Sequence, residues 1–142
     1  MRRQVLRNAR PFDSALGTIG PVSQIVIEGG RIAAVTAEPV QVDDAAVIDA
    51  GGRVVLPGLI DAHVHVVAAS HDLTANGLQA PSLITAQASA IMKGMLYRGF
   101  TTVRDAAGAD FGLQEAVARG LFEGPRLYIA GFPVCQTGGH AD

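Results

Sequence analysis

Residues 54–65 read VVLPGLIDAHVH, an apolar run that ends in an aspartate and two histidines. Side chains of a β-strand alternate between its two faces, so a strand here predicts that Asp61, His63 and His65 share one face. The two imidazoles would then lie about 6–7 Å apart, close enough to bind one metal ion together with ligands from elsewhere. The opposite face is expected to be buried under another layer and carries Ile60, Ala62, Val64 and Val66.

Two interpretations of the histidine pair follow from the residues alone. Most H-x-H pairs are surface or core histidines rather than metal ligands. Three features favour a metal site here: the preceding apolar strand, the carboxylate in register, and a bend at Pro57-Gly58 before the strand begins. A strand of this kind is typical of a parallel barrel that presents ligands at its mouth.

The composition limits the classes of protein to which the chain can belong. Its 142 residues are 49% hydrophobic and 17% charged with a net charge of −2, as in an ordinary globular protein. No basic patch stands out, which argues against a nucleic-acid or anionic-membrane partner, and no run of 18 apolar residues predicts a membrane span. The N-terminus lacks the apolar core of a secretory signal, and the single cysteine, Cys135, suits a reducing compartment, so we expect a cytoplasmic protein.

Residues 1–56 predict a small all-β module. Short strands are expected at 4–8 and 22–28, with a loop over 11–20 that is rich in strand breakers. Gly29-Gly30 predicts a hairpin turn, because a type I′ turn needs a positive φ at both central positions. A further strand at 46–49 leads into a second turn at Gly51-Gly52.

Residues 57–142 predict an alternation of strands and helices. After a long connection over 66–81, the expected elements are a helix at 82–98 capped by Ser82, a strand at 100–106, a helix at 111–119 capped by Asp110, and a strand at 124–131. Such β-α-β units form parallel sheets. The predicted fold class is therefore α/β.

Polar residues at the expected strand ends are candidates for a functional site. For Arg104 and Asp105 we favour a buried ion pair or strand-end hydrogen bonds over direct catalysis. His71 is more consistent with an exposed loop histidine than with a ligand. His140 follows Gly138-Gly139, and its chemistry leaves three roles open: acid/base catalyst, hydrogen-bond donor to a carbonyl, or plain loop residue.

Several of these segments resemble one enzyme superfamily. PGLIDAHVH is similar to the first-strand signature of the amidohydrolase superfamily, metal-dependent hydrolases built on a (β/α)8 barrel. GFTTVRDA, GPRLYIAG and TGGHAD resemble its prolidase-like and imidazolonepropionase-like branch, although Ala141 stands where a glycine is usual. The resemblance implies that His63 and His65 are metal ligands and that His140 binds substrate, with no catalytic residue in this segment.

The resemblance also implies that further parts complete the enzyme. A (β/α)8 barrel takes about 250 residues, and residues 54–142 leave room for about three βα units at about 30 residues each. We therefore expect the N-terminal portion of a barrel, preceded by a β-sandwich segment and completed in cis or by a second chain. The remaining ligands, including a carboxylated lysine, would lie outside these residues, and the full enzyme would be a homo-oligomer.

The function that the resemblance implies is hydrolysis of an amide bond in a dipeptide or N-acyl amino acid. A divalent ion lowers the pKa of its bound water toward about 7 and polarises the carbonyl group. Imidazole and carboxylate ligands suit zinc, and we expect two zinc ions, with manganese and iron as alternatives. The alternative functions are an imidazolonepropionase-like cyclic-amide hydrolase, a mononuclear deaminase, and a barrel retained as a non-catalytic scaffold.

Overall fold

The structure is a computed structural model that describes residues 3–139. It divides into two compact units, one up to Pro57 and one from Gly58 onward. The first unit contains only strands, whereas the second alternates strands with helices. No helix in residues 3–139 combines the length and the apolar character that a membrane crossing requires.

The first unit is a six-stranded sheet built on its longest strand, β1. Four strands follow the order β2-β1-β3-β4, while β5 and β6 pair in parallel with successive parts of β1. The strands are β1 (Gln4–Asp13), β2 (Thr18–Ile19), β3 (Ser23–Glu28), β4 (Arg31–Thr36), β5 (Ala46–Asp49) and β6 (Val54–Val55). The two predicted glycine turns are confirmed, since both residues of Gly29-Gly30 and of Gly51-Gly52 have positive φ.

β1 differs from its prediction. We expected a strand over 4–8 followed by a loop over 11–20, but β1 extends to Asp13 and turns back into β2. Pro11 lies inside β1 because its carbonyl can still accept a hydrogen bond, which Gly20 donates at 2.8 Å. The register against β3 shifts between Leu6 and Ala9, where Asn8 takes a positive φ of 53°.

The second unit has a three-stranded parallel sheet in the order β7-β8-β9. Its elements are β7 (Leu59–Val64), α1 (Leu73–Gly77), α2 (Pro81–Tyr97), β8 (Phe100–Asp105), α3 (Phe111–Ala118) and β9 (Arg126–Ile129). The predicted β-α-β-α-β alternation is confirmed. Closure into a barrel and pairing of the first unit into a sandwich stay predictions.

Helices α2 and α3 cover one face of this sheet. α2 contacts β8 and α3 contacts β9. The buried core between them contains Val64, Val66, Ala88, Met92, Val103, Ala109, Leu113 and Leu127. Met92 is fully buried, as expected for a packing residue.

The helix ends match the predictions in part. The Asp110 side chain accepts a hydrogen bond from the Leu113 amide at 2.9 Å, so the predicted cap of α3 is confirmed. The predicted Ser82 cap of α2 is wrong, because the helix begins one residue earlier at Pro81 and Ala80 is the N-cap. Proline suits the first helical position, where its missing N–H would have had no partner in the helix. α1 lies inside the connection predicted as a loop over 66–81.

Gly58 precedes β7 and lies close to a side chain of β8. A Cβ atom added at Gly58 would lie 2.6 Å from the Cβ of Thr101 and closer still to its Oγ1 and Cγ2 atoms. Only a glycine therefore allows the chain to enter β7 beside β8.

We predict that Gly58→Ala lowers the free energy of unfolding by about 1–3 kcal/mol, because the added methyl group overlaps Thr101. Combining it with Thr101→Gly should recover part of this loss, since the clash is removed, with a coupling of about 0.5–3 kcal/mol. Denaturant unfolding of the two single variants and the double variant measures the coupling. Strictly additive effects would show that the close approach does not limit this position.

Candidate metal centre

His63 and His65 come together at the carboxyl end of β7. Both side chains are exposed, and their ring centroids lie 5.3 Å apart with the ring planes inclined by 72°. They are on the sheet face that α2 and α3 do not cover, because Val64 between them is buried in the core. The structure thus places the two predicted ligands side by side.

Asp61 does not share the face of the histidines, so that part of the prediction is wrong. Asp61 pairs with Val103 and Val64 pairs with Asp105, so two residues of β7 lie opposite the single residue Arg104 of β8. This bulge reverses the alternation and leaves Asp61 on the same side as the buried Val103. The Asp61 carboxylate instead accepts a hydrogen bond from the His63 amide at 3.0 Å.

The predicted burial of the opposite face is correct for only two of its four residues. Val64 and Val66 are buried, whereas Ile60 is 72% exposed and Ala62 is exposed. The reason is again the bulge, since Ile60 pairs with Thr102 and so lies on the uncovered side of the sheet.

Asp105 is a fully buried carboxylate at the end of β8. One of its oxygens accepts from the Val66 amide at 2.7 Å and the other from the Ala109 amide at 3.1 Å. The predicted strand-end hydrogen bonds are confirmed, and no ion pair in residues 3–139 involves this carboxylate. Its neighbour Arg104 is exposed and donates from Nε to the Ala62 carbonyl at 2.7 Å.

One hydrogen bond determines which nitrogen of His65 is available for a metal. Nδ1 of His65 lies 3.2 Å from the carbonyl oxygen of Ala107. A carbonyl can only accept, so this hydrogen bond requires the tautomer with the proton on Nδ1, which has its lone pair on Nε2. Metal-binding histidines in proteins generally use their second nitrogen in this way.

Asn76 holds the loop that follows His65. It is buried in α1, donates to the Val67 carbonyl at 3.0 Å and accepts from the Ala69 amide at 3.2 Å. Both hydrogen bonds act on main-chain groups of the loop. Sequence reasoning missed this role, because a lone asparagine in a presumed loop gives no signal of burial.

A cavity of about 510 Å³ opens beside the histidine pair. Its wall is mostly apolar and includes Val67, Ala68, Leu73 and Pro133. The site thus combines two imidazoles with an apolar wall, an arrangement that suits a ligand with one polar and one apolar part.

The two imidazoles suit a metal ion but provide only part of the ligands that it needs. Catalytic zinc usually takes three protein ligands, and residues 3–139 contain no cluster of three or more His, Cys, Asp or Glu side chains arranged for a metal. His71 is exposed in the loop before α1. The predicted substrate-binding residue His140 lies outside the described residues.

Comparison with known proteins identifies the family of this chain. The sequence profile of the amidohydrolase family matches residues 46–115, which include both histidines. The chain belongs to the amidohydrolase family. The imidazolonepropionase of Paracoccus denitrificans is 44% identical over 71 residues, which are 45% of this chain and 18% of that protein.

Solved structures of other amidohydrolases share the fold. A prolidase complexed with N-methylphosphonate-L-proline is 43% identical and superposes with a TM-score of 0.91 over 97% of this chain and 34% of the prolidase chain. A Xaa-Pro dipeptidase with methionine bound in its active site is 26% identical, with a TM-score of 0.83 over 99% of this chain and 36% of its own. This amidohydrolase chain therefore spans about a third of the length of these structures.

We predict that Asn76→Ala loosens the loop after His65, because the Val67 carbonyl and the Ala69 amide lose their buried partner at a cost of about 1–3 kcal/mol. Hydrogen exchange should show faster exchange of the Ala69 amide. The control Thr85→Ala removes an exposed hydrogen bond to the Pro81 carbonyl and should change stability by no more than about 0.5 kcal/mol. Unchanged protection of the Ala69 amide in Asn76→Ala would show that the Asn76 side chain does not hold this loop.

Proposed function

We propose that this chain is part of a metal-dependent amidohydrolase that cleaves the amide bond of a dipeptide or N-acyl amino acid. The observation that carries the proposal is the histidine pair at the carboxyl end of β7, with Nε2 of His65 free to bind. Membership of the amidohydrolase family supports it, because the profile match includes both histidines.

In this proposal His63 and His65 hold a divalent ion, most simply the first of two zinc ions. When bound, such an ion supplies an acidified water nucleophile and polarises the substrate carbonyl. The chain's own part is to fix the two rings: the main chain of β7 sets their separation, and the Ala107 carbonyl sets the tautomer of His65. The remaining ligands, including a carboxylated lysine, would come from the rest of the protein.

The substrate class rests on the relatives and on the cavity wall. The similar prolidase binds a phosphonate analogue that contains L-proline, and the similar dipeptidase is named for Xaa-Pro substrates. The apolar wall at Val67, Leu73 and Pro133 would suit the apolar side chain of such a substrate. We propose that His140, which lies outside the described residues, binds the substrate as well.

A complete barrel would cover the open face of the sheet. Ile60 and Tyr128 are 72% and 53% exposed on the side opposite the helices. A barrel interior is filled by side chains of this kind. We propose that further βα units, in cis or from a second chain, bury them.

The similarity to imidazolonepropionase favours a second candidate, a cyclic-amide hydrolase with a single metal ion. A mononuclear deaminase would share that metal count. Metal stoichiometry and substrate preference separate these enzymes from a dipeptidase, and a non-catalytic scaffold would hydrolyse none of the substrates.

We predict that His63→Ala and His65→Ala in the full-length protein each lower kcat/KM by more than about 100-fold, because loss of a ligand should exceed the typical effect of losing a residue that supports one. Bound zinc, measured by elemental analysis, should fall in parallel. His71→Ala is the matched control, since it makes the same substitution in the following loop and should leave both quantities unchanged. Full activity in His63→Ala would contradict the proposed site.

We further predict two zinc ions per full-length chain and hydrolysis of Xaa-Pro dipeptides or N-acetyl amino acids in preference to imidazolonepropionate. A substrate panel assayed by product release, beside elemental analysis of the same preparation, provides the test. One ion per chain together with a preference for the cyclic amide would favour the second candidate.

A further inference from the structure

We propose that Asp105 is a positioning residue that holds His65 and its partner Ala107 in the geometry needed for metal binding. The inference rests on the proposed function, because it concerns how the metal ligand is presented. Asp105 touches neither ring, so it acts only through the main chain around them.

Both sides of the His65–Ala107 hydrogen bond are tied to Asp105. On one side its carboxylate accepts from Val66, the residue directly after His65, at 2.7 Å. On the other side it accepts from Ala109, two residues beyond Ala107, at 3.1 Å. One rigid carboxylate therefore fixes the distance between the ring and the carbonyl that orients it.

Main-chain hydrogen bonds next to Asp105 also connect the ends of the strands. The Ala106 amide donates to the Val64 carbonyl at 2.9 Å, so the residues before and after His65 are both bound to the end of β8. The Ala130 amide donates to the Asp105 carbonyl at 3.0 Å and connects β9 to the same point. His65 is thus presented by a strand end with little freedom to move.

The environment of Asp105 explains why a carboxylate is needed there. The side chain is fully buried, and its described partners are main-chain N–H groups. A carboxylate offers two acceptor oxygens, whereas an amide offers one acceptor and one donor. In Asp105→Asn the amide NH₂ would face one of the two N–H groups and push its loop away.

The glycine beside Ala107 provides an independent way to move the same carbonyl. Gly108 has a φ of 107°, and a Cβ atom there would lie 2.5 Å from Cγ2 of Val67. Gly108→Ala should therefore displace the Ala107 loop, together with the Ala109 amide that donates to Asp105, while the Asp105 side chain itself is kept.

The test compares Zn²⁺ affinity in the full-length protein, measured by competition with a chromophoric chelator. We expect Asp105→Asn to weaken Zn²⁺ binding by about 10–100-fold, the usual effect of removing a residue that orients a ligand. The control Asp110→Asn makes the same substitution at the exposed α3 cap, where the amide oxygen can still accept from Leu113, and should bind Zn²⁺ as the wild type does.

A second measurement separates positioning from stability alone. In protein labelled with ¹⁵N-histidine and freed of metal, NMR should show one wild-type imidazole protonated at Nδ1, and this tautomer should be depleted in Asp105→Asn. If Asp105→Asn does not fold, Gly108→Ala takes its place, with the same two effects expected. A folded variant with wild-type Zn²⁺ affinity and an unchanged tautomer would overturn the inference.

The two proposals fail in different ways. Absence of Zn²⁺ binding by the wild type would refute the proposed function, while the tautomer comparison would still decide the role of Asp105. Tight Zn²⁺ binding by wild type and Asp105→Asn alike would overturn the role of Asp105 and leave the proposed function intact.

Discussion

The buried carboxylate of Asp105 holds together the carboxyl ends of the parallel strands. A buried charge is stabilised only when its acceptor oxygens are hydrogen-bonded, and Asp105 meets this need with the amides of Val66 and Ala109. These amides belong to the loops after β7 and β8. The interaction that satisfies the charge is therefore the same one that fixes the walls of the site.

The packing of the second unit also determines where the two histidines lie. Val64 and Val66 are inserted into the core beneath α2 and α3, which leaves His63 and His65 on the uncovered face. The bulge in β7 adds the residue that turns both rings outward, and Arg104 binds the Ala62 carbonyl within that bulge. Core burial and ligand presentation are thus two results of one strand conformation.

Local signals were sufficient to predict most of the secondary structure. The two glycine pairs predicted both turns because glycine takes a positive φ at little steric cost, and Asp110 predicted a helix cap for a similarly local reason. The pairing of His63 with His65 was predictable because residues two apart in a strand share a face. Each of these features depends only on residues that are close together in the sequence.

The features that were not predicted depend on residues distant in the sequence. The bulge that moves Asp61 away from the histidines is defined by the register against β8, some 40 residues later. The full length of β1 depends on four partner strands, and Pro11 alone suggests a break. The roles of Asn76 and of the Ala107 carbonyl become visible only when α1 and the loops after β7 and β8 lie side by side.

We propose that His63 and His65 bind one divalent metal ion, with His65 using Nε2. Anomalous diffraction at the zinc edge, from crystals of the zinc-loaded full-length protein, tests it most directly. We expect an anomalous peak about 2.0–2.1 Å from Nε2 of His65 and from one ring nitrogen of His63. A peak located elsewhere, or one bound through Nδ1 of His65 with the Ala107 hydrogen bond broken, would contradict it.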